Sequence, residues 1–230
     1  MLYYNSEVRI THFLPGIICG ALFFIVSVVH LVACYGRYPR LRSVTKVLLM
    51  PLLLAAYCCF GAPVRLLVVC ALAFGWLGDV LLLFKRSSIL MLCGICAFAL
   101  GHIFYVGAML SEKPGLHFSV LICLALCALW LTFVYKNLLP CAPRPLKKPG
   151  FLYALLLSLT CLTALYMLLV TSKIAWLVAF VGGLFFMVSD TMLTSQEYRK
   201  EMKHGNFYVM LTYIAAQALI ITGFLLSGGM

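Results

Sequence analysis

The chain is 230 residues long, 65% hydrophobic and only 10% charged, with a mean hydropathy of +1.11. Soluble domains run at about 45–50% apolar and about 25% charged, so this composition excludes an ordinary soluble domain and leaves room for about seven or eight membrane spans of roughly 20 residues each. The net charge of +11 does not indicate nucleic acid, because the basic residues sit in short connectors between apolar runs. That is the topology signal of a membrane protein, with a weak attraction to anionic lipid headgroups as a by-product.

The expected fold is all-α: one polytopic transmembrane domain over residues 1–230, built of eight helices. The spans are read at 14–35, 44–60, 66–84, 88–110, 117–135, 151–170, 174–193 and 206–227. The first apolar run is too long for a cleavable signal, and it lacks a basic leader and a small-residue cleavage site. Pro39 and Arg40 follow it. Pro51 lies inside the second span and is expected to kink it, which neighbouring helices in a bilayer can accommodate. Gly61-Ala62-Pro63 ends the second span, Lys85-Arg86 the third and Pro114-Gly115 the fourth. The fifth connector, Lys136 to Gly150, holds four prolines and is too short for a soluble domain. Thr171-Ser172-Lys173 and Gln196 to Gly205 make the last two connections, marked by breakers and polar residues. The 11 cysteines fall mostly within spans, where free thiols act as small hydrophobes. Cys93-x-x-Cys96 lies in an apolar helix with no partner pair, so neither a metal nor another cofactor is expected.

Thirteen of the 17 lysines and arginines fall in the odd-numbered connectors. The positive-inside rule then places those connectors in the cytoplasm and both termini outside. Only two aspartates occur, Asp79 and Asp190, and each interrupts an apolar run; the four glutamates lie in polar connectors. A carboxylate in hydrocarbon costs at least a few kcal/mol, which makes both positions functional candidates. Each lies a few residues before the end of its span, roughly 5–10 Å below the same boundary. Two carboxylates at one depth can share a site, and close carboxyls divide into one that holds a proton and one that is ionised, the arrangement needed for general acid and general base. The alternative is that each acid pairs with a basic residue and fixes helix packing. The 111-residue offset from Asp79 to Asp190 also takes His102 to Tyr213, which suggests a weak four-plus-four parallel repeat.

Further polar residues accompany the pair. His102 and Tyr105 share a face of the fourth span, and Tyr213 and Gln217 share one of the eighth. His102 lies about 20 Å from the odd-connector end of its helix, deeper than the aspartates. Lys46, after Thr45 at the mouth of the second span, either snorkels to headgroups or binds a phosphate. No G-x-S-x-G elbow and no H-E-x-x-H zinc motif occurs, which leaves the carboxylates as the chemical groups.

At these residues the chain resembles the YhhN family of membrane lysoplasmalogenases. The resemblance rests on Thr45-Lys46 with Met50-Pro51, Leu77-Gly78-Asp79, Gly101-His102 with Tyr105, Ser189-Asp190, and Tyr213-x-Ala215-Ala216-Gln217. It implies an eight-helix enzyme that cleaves the vinyl-ether bond of lysoplasmalogens, releasing a fatty aldehyde and glycerophosphoethanolamine or glycerophosphocholine, with Asp79 and Asp190 essential. The implied partners are a lysophospholipid substrate, water and the surrounding lipids, without nucleic acid or cofactor. The implied setting is a bacterial inner membrane or an internal eukaryotic membrane, with the site toward the cytoplasm. Lys46, His102, Tyr105, Ser189, Tyr213 and Gln217 are then candidates for substrate binding, with His102, Tyr105 and Gln217 lining the chain-ward part of the pocket. The more apolar flanks of Asp79 favour it as proton donor. A transporter or ion-coupled carrier is the alternative, since intramembrane carboxylates, a repeat and a kinked helix suit it equally.

Overall fold

A computed structural model describes residues 2–60, 63–84, 88–199 and 202–228, with 2–13 and Ser88 described as backbone alone. Gly61-Ala62, Lys85-Arg86, Lys200 and Glu201, used above to place connectors and orientation, lie outside the described residues. The eight helices are α1 Leu2–Tyr35, α2 Pro39–Cys59, α3 Leu66–Leu81, α4 Ser88–Leu110, α5 Ser119–Phe133, α6 Arg144–Thr171, α7 Ile174–Tyr198 and α8 Gly205–Ser227, with no strand among the described residues. A 3-10 turn extends α3 over Leu82–Phe84, and a π turn at Val134–Leu138 followed by a 3-10 turn extends α5 to Cys141. All eight are long and apolar enough to cross a membrane, and the chain is an all-helical polytopic membrane protein.

Of the helix ends that differ from the expected spans, three have a clear local reason. α2 begins at Pro39 instead of 44, and α6 at Arg144 instead of 151. In both, proline occupies the first turn, where its fixed φ suits a helix and its missing N–H is no loss. The prolines of the fifth connector therefore start a helix more than they break one. α7 continues past 193 to Tyr198, because Thr194-Ser195-Gln196-Glu197 is polar but contains no glycine or proline. Polarity ends a span without ending a helix.

Small residues set the closest packing, as bilayer helices require when lipid is as apolar as the core. A Cβ on Gly182 of α7 would sit 2.9 Å from both the Ala216 carbonyl oxygen and the Ile220 backbone nitrogen of α8. One on Gly183 would sit 2.7 Å from Cys161 Cα of α6. α7 is thus held between α6 and α8 at backbone distance, which fixes the direction in which Asp190 leaves the helix. We expect Gly182→Val to destabilise the bundle by about 1–3 kcal/mol, since the obstructing atoms are backbone and cannot rotate away. Thermal unfolding in detergent checks this, the wild-type midpoint being retained if the contact is loose.

At the end carrying the even-numbered connectors, Arg65 pairs with Glu112 at 2.8 Å and donates to Ser227 Oγ at 3.0 Å, while Lys173 reaches Glu112 at 3.5 Å. This polar clamp ties the ends of α3, α4, α7 and α8 together, opposite the end where the aspartates lie.

Candidate functional site

Asp79 sits near the C-terminal end of α3 and is 2% exposed. Gly78 before it has no side chain, and a Cβ there would stand 2.6 Å from the Phe98 ring of α4, so α3 and α4 close tightly at this level. Trp76 donates its indole N–H to the Val47 carbonyl at 3.0 Å, tying α3 to α2. That contact brings Lys46 to Asp79, with Nζ 3.1 Å from Oδ1. From α8, Tyr213 donates its hydroxyl to Asp79 Oδ2 at 2.7 Å. Both oxygens are engaged, but a carboxylate offers about four lone-pair sites and retains capacity for another donor. An ammonium in contact favours the charged form of a carboxyl, and Asp79 has such a partner in Lys46.

Asp190 of α7 is half-buried and accepts a hydrogen bond on Oδ2 from the Tyr153 hydroxyl of α6. Among the described residues no cation pairs with it. The two aspartates line one cavity of about 740 Å³. Lys46, Ser189, Tyr153 and Tyr213 line it as well. Ser189 directs its hydroxyl to the Val209 carbonyl at 2.9 Å, so it fastens α7 to α8 beside Asp190. The rest of the lining is mainly apolar, including Leu83, Met91, Phe98, Val134 and Leu157. The cavity therefore combines a small charged region with a large greasy one, the composition of a site for an amphiphile.

The remaining candidates lie elsewhere. His102, Tyr105 and Gln217 are buried but do not line the cavity, against the expectation that they would. His102 Nδ1 lies 3.0 Å from Thr160 Oγ1 in the contact between α4 and α6, and its ring packs on Phe186 and Tyr153. Tyr105 donates to Gln217 Oε1 at 2.8 Å. Helix spacing groups His102 with Tyr105 and Tyr213 with Gln217, but of these four Tyr213 alone lines the cavity, the other three meeting neighbouring helices behind it. Lys46, weighed as a phosphate ligand, is turned inward to Asp79.

Tyr153, Arg42, His30 and Glu197 are among the lining residues that the sequence did not single out, and Glu197 lies within α7 instead of in a connector. Tyr153, near the start of α6, reads as an ordinary interfacial tyrosine until Asp190 is seen against it. Arg42 counted only toward topology. His30 of α1 is 0% exposed, and its Nδ1 lies 2.7 Å from Thr45 Oγ1, which itself donates to the Leu41 carbonyl at 2.7 Å. Thr45 must then accept from the His30 ring N–H, which locks the first turns of α2 against α1. An intramembrane histidine carries the same signal as an intramembrane aspartate, and that signal was available at His30. Among the described residues no group of three histidines, cysteines or carboxylates is placed to hold a metal ion.

No curated protein and no solved structure matches the chain. A family model described as the YhhN family matches residues 41–224, a stretch that runs from the first turn of α2 nearly to the end of α8 and includes Lys46, Asp79, Tyr153, Asp190 and Tyr213. With most of its length matched, the chain belongs to the YhhN family.

Proposed function

We propose that this protein is a lysoplasmalogenase, hydrolysing the vinyl-ether bond of lysoplasmalogens to a fatty aldehyde and a glycerophospho-base, with the odd-connector end and its cavity facing the cytoplasm. The observation that carries the reading is the convergence of two intramembrane carboxylates on one largely apolar cavity, one paired with a lysine and the other without a cation among the described residues. The reaction begins with protonation of the vinyl carbon remote from the ether oxygen, which leaves an oxocarbenium ion. Water adds to that cation and gives up a proton to the carboxylate left by the first step, and the resulting hemiacetal collapses to aldehyde and alcohol. The first step needs a proton donor and the second a negative charge beside the cation, the same pair of demands that glycosidases meet with two carboxyl groups.

The neighbours of each aspartate support a division of roles. Asp79, paired with Lys46, stabilises the cation and orients water. A cavity that already contains one carboxylate disfavours a second, so Asp190 is the group that carries the proton. This reverses the assignment suggested by the apolar flanks of Asp79, because of the two aspartates it is Asp79 that has an ammonium in contact. Once Asp190 has given up its proton, the Tyr153 hydrogen bond becomes charge-assisted, so it is stronger after transfer than before. Such an interaction lowers the barrier instead of merely tightening binding. Tyr153→Phe should therefore lower kcat about five- to tenfold with little change in KM, measured as aldehyde release. A change confined to KM would remove Tyr153 from this role.

The carrier reading has less support. The lining residues come from the odd-connector halves of the helices, and beyond them lies the packed layer of Tyr105, Trp176, Ile220 and Phe224, each 2% exposed or less. The reading is tested by supplying a lysoplasmalogen beside its saturated alkyl-ether analogue. Aldehyde should arise from the first alone, and uptake without aldehyde would favour the carrier.

A further inference from the structure

Lys46 is committed to Asp79, which leaves open what meets the headgroup of a lipid bound in this cavity. Arg42 is one turn earlier on the same face of α2 and also lines the cavity, closer to the end of the bundle. It is half-buried, and among the described residues no carboxylate pairs with it. Neighbouring Ser43 spends its hydroxyl on the Pro39 carbonyl at 3.0 Å, so it offers no hydrogen there. The backbone beneath Arg42 is fixed, since Thr45 is anchored to the Leu41 carbonyl and to His30. A planar guanidinium with five donors is suited to a phosphate, which it can grip at two oxygens.

We propose that Arg42 forms the phosphate subsite of the cavity, holding the phosphodiester of a lysophospholipid headgroup. This rests on the function proposed above and names the group by which the same site would select its substrate. The spacing supports it. Positions 42 and 46 are separated by about 6 Å along the helix, and Lys46 marks the level of Asp79. In a lysoplasmalogen the phosphate and the vinyl-ether oxygen are separated by the three-carbon glycerol, a comparable reach. Phosphate on Arg42 therefore presents the ether to the aspartates, with the alkyl chain directed into the apolar part of the cavity.

The test uses the full chain in detergent with two substrates, lysoplasmenylethanolamine and the 1-alkenylglycerol that lacks phosphate. Wild type should prefer the phosphate-bearing lipid. Arg42→Gln should reduce that preference, as a ratio of kcat/KM values, by about 10- to 100-fold, mainly through KM. Arg42→Lys should restore part of it, since a point charge remains without the bidentate fork. An unchanged ratio in a folded Arg42→Gln protein, or equal losses on both substrates, would overturn the proposal. Inorganic phosphate should compete no better than chloride at equal ionic strength; strong competition that Arg42→Gln abolishes would replace the lipid headgroup with a free anion. Binding of the uncleavable 1-alkyl lysophosphatidylethanolamine is measured in parallel. If wild type cleaves neither substrate, the hydrolase reading fails, and the Arg42 subsite still stands or falls on whether Arg42→Gln weakens that binding.

Discussion

Asp190→Asn should reduce aldehyde release by about 10²–10⁴-fold, the range associated with loss of a positioned general acid. Asparagine keeps the shape of the side chain and can still accept the Tyr153 hydrogen bond, but it has no proton to give to carbon. Because the side chain is half-buried at a cavity wall and has no ionic partner among the described residues, the substitution should leave folding nearly unaffected. The expected signature is a fall in kcat with the thermal midpoint unchanged. Retained turnover in Asp190→Asn would place the proton source elsewhere.

Asp79→Asn should fail differently. It removes the charge beside the oxocarbenium ion, a loss of about 10²–10³-fold in kcat by analogy with removing an oxyanion-hole donor. It also strands the Lys46 ammonium, which is 17% exposed, without its carboxylate. Breaking a buried pair costs about 3–5 kcal/mol; with Lys46 reaching the cavity, about 2–3 kcal/mol is expected here. Lys46→Met alone strands the carboxylate and should destabilise by a similar amount. The double variant removes both charges and should regain most of the lost stability while remaining inactive. Thermal unfolding and aldehyde release on the four proteins separate the catalytic part of Asp79 from its structural part. Recovered activity in the double variant would mean that the ion pair serves packing alone.

The two aspartates were legible in the sequence because a charge inside an apolar run stands out, and their common depth followed from counting residues to each span end. Span number was legible for a similar reason, since hydropathy integrates over about 20 residues and tolerates local error. Helix starts were not legible where proline is ambiguous: Pro39 and Pro145 read as breakers yet open α2 and α6. That error mattered, because it placed Arg42 in a loop and Tyr153 at the very edge of its span. Partners across helices were the least legible. Spacing put Tyr105 with His102 and Gln217 with Tyr213, but the strongest contacts run from Tyr105 to Gln217 and from Tyr213 to Asp79, between helices far apart in the chain. Which face of a helix meets the cavity depends on its rotation, and the glycine contacts at Gly78, Gly182 and Gly183 that set rotation have no periodic signature.

If this cavity protonates a vinyl ether at carbon, the proton stays in the product, where it can be followed. Lysoplasmenylethanolamine is turned over in deuterium oxide, and the aldehyde is trapped at once and analysed by mass spectrometry. Wild type should form aldehyde with one deuterium on the carbon next to the carbonyl, and Asp190→Asn should lose that product. A folded wild-type protein that releases no aldehyde, or aldehyde without that deuterium, would contradict protonation at carbon in this cavity.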